Sequence, residues 1–196
     1  MPAPLQENLE VSMAAYLVLL LAVLSRILPY AFGATGLGLT AVGGGLLYFG
    51  ARRSRWQTVI AVVALMATDY YLTVFAFGYA FHTSDYLVTW AWYAAVCLMG
   101  YAILSKKTTA LRVVGAVFAS STSFFVLSNF AVWMGSEMYP HSVAGLGACY
   151  VAGVPFYAND AISTAITAGV LFGLPALARN IVESVREAQN SRLPFV

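Results

Sequence analysis

Between Gln57 and Gly78 the chain reads QTVIAVVALMATDYYLTVFAFG, and only one residue in that run, Asp69, can carry a charge. A helix of about 22 residues rising about 1.5 Å per residue spans roughly 33 Å, enough to cross a bilayer. An ionisable group at that depth is costly, so it faces a bundle interior or a wet cavity. What Asp69 faces is therefore the question on which any reading of the chain turns.

The other segments share this apolar character. The 196 residues are 61% hydrophobic and 9% charged, against about 25% charge in a soluble domain. The apolar stretches are continuous rather than alternating, which predicts helices and excludes an outer-membrane barrel. The fold class expected is all-α: a polytopic membrane helical bundle of about six transmembrane helices, in one domain over 1–196. The net charge of +2 gives no reason to expect nucleic acid as a partner. Cys97 and Cys149 lack metal-type spacing and read as small buried residues. The acidic start MPAPLQENLE lacks the basic region of a signal peptide, so the first apolar segment is expected to be retained.

The expected spans are 11–28, 37–51, 57–78, 87–104, 113–133 and 159–178. Residues 142–156 make too short a crossing and, with several glycines and Pro155, read as a re-entrant or surface-lying piece. Residues 179–196 read as an amphipathic tail lying on the membrane surface, with Ile181, Val182 and Val185 on one side. Six spans put Arg52, Arg53, Arg55, Lys106, Lys107, Arg112 and the tail arginines on one side. The positive-inside rule makes that side cytoplasmic, together with both termini and residues 1–10. Arg26 alone falls near the opposite face.

Helical spacing aligns unusual polar residues toward that opposite face. Met66, Asp69, Tyr70, Thr73 and Phe77 share one side of the third span. Phe118, Thr122, Phe125, Asn129 and Trp133 share one side of the fifth. Asp160, Ser163, Thr164 and Thr167 share one side of the last. Aromatic walls with a few fixed polar groups are the make-up of a ligand pocket. The candidate substrate-binding residues are Arg26, Asp69, Tyr70, Tyr93, Asn129, Trp133, Asn159 and Asp160. Each has a plainer reading. Asp69 can simply pair with Arg26 between the first and third spans, and Arg26 can snorkel to headgroups. Asp160 can cap its helix. Asn129 and Thr122 can bond neighbouring helices. Trp90, Trp92, Trp133 and Tyr139 can form an aromatic belt. Gly43, Gly44 and Gly45 let another backbone approach closely.

No catalytic, metal or cofactor site is expected. His82 and His141 fall in loops, so no facing pair of histidines exists for a transmembrane haem. Hydrolase, metalloprotease and Walker patterns are absent, and no repeated half supports an inverted-repeat transporter.

ALMATDYY, ending the small-residue run Ala64–Asp69, and VPFYANDAISTAI, from Val154 to Ile166, resemble stretches of the substrate-binding (S) components of energy-coupling factor (ECF) transporters. SNFAVWMGSEMYPHSVAGLGACY, from Ser128 to Tyr150, more specifically resembles an uncharacterised family of bacterial membrane proteins akin to these components. The resemblance runs from about Tyr16 to Leu174. It implies a vitamin or micronutrient binder in the bacterial cytoplasmic membrane, partnered by a transmembrane coupling protein and two cytoplasmic ATPases. The first span departs from it: Ala14, Ala15 and Ala22 do not form the Ala-x-x-x-Ala docking pattern common in that group.

The function expected is therefore capture of a small solute for an uptake transporter rather than an enzyme's work. Arg26 would meet a carboxylate or phosphate, Asn129 and Asp69 would read donors and acceptors, and Tyr70, Tyr93 and Trp133 would stack on a ring. The linker Gly33–Gly38 would open and close the site. The alternative is a structural or accessory subunit of a larger membrane complex. A membrane enzyme using Asp69 and His141 is the remote third reading.

Overall fold

A computed structural model describes residues 3–32 and 39–190. The proposed gate Gly33–Gly38 lies outside the described residues. All the regular structure within them is helical: α1 (Ala3–Ala31), α2 (Val42–Arg52), α3 (Thr58–Tyr71), α4 (Leu87–Leu104), α5 (Ala110–Gly135), α6 (Val143–Ala168) and α7 (Leu174–Asn190). Two π-helical turns, Leu72–Ala76 and Gly169–Gly173, extend α3 and join α6 to α7. Five helical stretches are long and apolar enough to cross a membrane. Large side chains such as Leu17, Leu21, Val63, Val114, Phe118 and Ile166 are exposed along them. An apolar exterior on long helices is the make-up of a multi-pass membrane protein.

The second expected span is not of crossing length. α2 has 11 residues, about 16 Å of helix, roughly half the hydrocarbon thickness. It sits in the core, with Leu46, Leu47 and Phe49 fully buried. Its glycines explain how it fits. Gly43 abuts the Thr164 side chain, Gly44 abuts Thr167 and Ala168, and Gly45 abuts Ala22. Gly50 and Gly100 form a reciprocal crossing with α4: a β-carbon on Gly50 would overlap the Cys97 carbonyl, and one on Gly100 the Leu47 carbonyl. Backbones meet here because neither helix carries a side chain at the crossing.

Residues 142–156 are not a separate short piece. They begin a helix that runs through Pro155 and the expected start of the last span, and helical structure continues to Gln189, 47 residues in all. Ser142 caps this helix by accepting from Gly145 N at 3.1 Å, and Pro155 inside it is tolerated, as prolines are in membrane helices. Asp160 therefore lies mid-helix and caps nothing. The tail continues this helix through the π-turn Gly169–Gly173 as far as Asn190. α1 also exceeds its expected bounds, starting at Ala3 and passing through Pro29.

The basic residues collect at one end of the bundle. Arg53 donates to Ser12 Oγ at 2.5 Å, and Gln57 to the Tyr16 hydroxyl at 3.1 Å. These bonds bring the start of α1, the end of α2 and the start of α3 together. Tyr48, under the Arg52 guanidinium, packs on Phe172 beyond α6, and Arg112 donates to the Ile103 carbonyl at the end of α4. At the other end, Tyr30 donates to the Ala76 carbonyl, and Trp133 to the Pro140 carbonyl at 2.9 Å.

Candidate functional site

Asp69 does not face lipid; it is 2% exposed. Arg26 reaches from α1 to its Oδ1 at 2.5 Å and donates to the Tyr93 hydroxyl at 3.0 Å. That hydroxyl donates in turn toward Asp69 Oδ1 at 3.5 Å. Trp90 Nε1 donates to Asp69 Oδ2 at 2.9 Å. Both carboxylate oxygens are thus engaged, by donors from α1 and α4, and the group ties three helices together. Breaking such a buried pair by removing one partner costs about 3–5 kcal/mol. The plain reading of Asp69 as the partner of Arg26 is what the structure shows.

The backbone beside this clamp is irregular. The π-turn Leu72–Ala76 follows Tyr71 directly. Thr73 Oγ1 donates to the Asp69 carbonyl at 2.7 Å and accepts from the Tyr86 hydroxyl at 2.5 Å. Tyr86, Trp90 and Tyr93 recur at helical spacing along the start of α4, so one face of that segment meets α3. π-turns of this kind are frequent at functional sites.

The clamp forms one wall of a cavity of about 540 Å³, within the usual 300–1,000 Å³ of small-molecule sites. Arg26, Asp69, Tyr93, Asn159 and Asp160 line it, so five of the eight residues proposed from sequence meet in one place. The structure adds Tyr86, Thr89, Trp92, Phe124 and Phe156 as walls, with Thr40 and Asp85. Trp92 packs on Phe124 with ring centroids 4.5 Å apart and donates to Ser123 Oγ at 3.2 Å. The cavity lies toward the end opposite the arginines: on α1, Arg26 is ten residues beyond Tyr16, about 15 Å along the axis.

Three proposed residues are elsewhere. Tyr70 is half exposed, stacked edge-on against Phe75 and Phe81. It follows Asp69 in sequence, and a step of one residue turns it about 100° away. Trp133 is anchored at the helix end by its bond to Pro140 and packs against His141. Asn129 lines smaller crevices between α5 and α6, donating to the Phe125 carbonyl at 2.8 Å and crowding Gly153. The stripe Thr122–Phe125–Asn129 is real but faces α6, where Thr122 shares a hydrogen bond with the Tyr157 hydroxyl at 3.1 Å. Trp90 and Trp92, read as belt residues, belong to the site. For Trp90, steps of four from Tyr86 and three to Tyr93 are the available signal; Trp92 has none of this kind.

Cys97 and Cys149 are free and buried. Among the described residues no group of three or more His, Cys, Asp or Glu side chains is placed to hold a metal ion. No curated protein and no solved structure matches the chain. The family of unknown function DUF6580 matches residues 6–186, nearly the whole bundle, and the chain belongs to that family.

Proposed function

We propose that the protein captures a small solute in the cavity beside the Arg26–Asp69 clamp, as the substrate-binding component of an uptake system. The observation that carries this reading is the cavity itself, walled by aromatic side chains and braced on one side by a fully bonded ion pair. A rigid polar brace in an apolar-aromatic wall fixes a ligand's orientation at little entropic cost. The finer likeness to ECF S components rests on the ALMATDYY and VPFYANDAISTAI motifs. It would place the arginine-rich end and both termini in the bacterial cytoplasm, by the positive-inside rule, with the cavity opening outward. A coupling protein and ATPases would then supply the energy.

Native mass spectrometry of protein purified in mild detergent tests the capture step. The expected result is a non-covalent small-molecule adduct that disappears in Thr89→Phe, a variant that fills the cavity while the melting temperature is kept. An adduct unchanged in Thr89→Phe, or none in wild type, counts against capture.

The accessory-subunit reading has its own observation. α7 leaves Leu174, Leu177, Ile181, Val182 and Val185 half exposed beyond the last crossing. Stoichiometric co-purification with a larger complex, lost on deleting 174–196 with the cavity adduct intact, would favour that reading.

A further inference from the structure

Four charged side chains line the cavity: Arg26, Asp69, Asp85 and Asp160. They are not equivalent. The Arg26 guanidinium is neutralised by Asp69 at 2.5 Å, and Asp69 has both oxygens engaged. Asp85 is exposed at the entrance, with Ser84 as its hydrogen-bond donor at 3.1 Å. Asp160 is different. It lies in the middle of α6, where no helix terminus compensates its charge. Its Oδ2 is buried, with the Ser121 hydroxyl as its neighbouring donor and no cation beside it among the described residues. Ser121 lines the adjoining crevice with it and is 1% exposed.

With Arg26 and Asp69 cancelling, the wall is left with two carboxylates and no free cation among the described residues. An anionic solute would meet repulsion from both, and Arg26 would have to leave a partner that has few replacements. A cationic solute would compensate Asp160 and reach aromatic faces at Trp92, Tyr86 and Phe124, which attract cations through their ring quadrupoles. A bare metal ion does not fit: the donors number too few, and the space is that of an organic molecule. A carboxylate accepts hydrogen bonds, and a protonated amine offers N–H donors that a quaternary ammonium cannot.

On these grounds we infer that the cavity takes an organic solute bearing a protonated amine, with Asp160 as its counter-ion. This rests on the capture reading above and reverses the carboxylate or phosphate ligand expected from Arg26.

The test is binding to full-length protein in nanodiscs, followed by isothermal titration with three probes of similar shape. The probes are 2-phenylethylamine, its N,N,N-trimethyl analogue and 3-phenylpropionate. The amine should bind about tenfold or more tightly than either competitor, the scale of one charge-assisted hydrogen bond. Asp160→Asn should remove that preference, Asp160→Glu should keep part of it, and Asp85→Asn should lower amine binding by only about twofold through long-range charge. Should Asp160→Asn fail to fold, Ser121→Ala in its place should weaken the amine severalfold. Tighter binding of 3-phenylpropionate, or an amine preference indifferent to these variants, overturns the inference but leaves solute capture standing. Failure of all three probes, with no adduct in the native spectrum, removes both.

Discussion

Asp69 and Asp160 line the same cavity, yet the first has both oxygens bonded across three helices and the second has no cation beside it among the described residues, only the Ser121 hydroxyl. The difference extends to their surroundings. α1 to α4 cross closely, with Gly50 and Gly100 placing one backbone on another and the Asp69 clamp closing the group. α5 and α6 meet along polar and aromatic side chains and leave crevices beside Ser121, Asn129 and Gly153. On one side of the cavity the carboxylate is matched by a cation; on the other it has only a serine hydroxyl beside it.

The sharpest way to break this contrast is to remove Arg26. Arg26→Met should lower stability by about 3–5 kcal/mol, because Asp69 is then left charged without its cation. The double variant Arg26→Met/Asp69→Leu should recover much of that loss, as read in a double-mutant cycle of detergent unfolding. Next in size is Gly100→Ala. Its added carbon meets the Leu47 carbonyl, which is backbone and yields little, so a loss of about 3 kcal/mol is expected by thermal melting. Trp90→Phe keeps the ring but removes the donor to Asp69 Oδ2, and should cost about 1.5 kcal/mol in the same assay. Asp160→Asn should be nearly silent, within about 0.5 kcal/mol. A loss there as large as that from Arg26→Met would mean the two carboxylates are equally structural.

Much of the bundle was legible because hydropathy and length mark a crossing helix directly. The Arg26–Asp69 pair was legible for a related reason: so few charges lie at membrane depth that each has few possible partners. α2 was misjudged because a run of glycines and apolar residues signals close packing without saying how much of it is helix. Pro155 and its neighbouring glycines looked like a break, yet the helix carries on through them. The face pairing Thr122 with Asn129 was correctly grouped but assigned to the wrong neighbour. Periodicity says which residues stand together, and not which helix they meet. Tyr70 and Tyr93 make the same point: both are tyrosines near Asp69, and only the turn of each helix decides which one touches it.

The uninterrupted helix from Val143 has a mechanical consequence. Asp160 and Ile181 belong to one continuous helical stretch, about 31 Å of helix apart, with the π-turn Gly169–Gly173 between them. The tail is therefore joined to a wall of the cavity through helix alone.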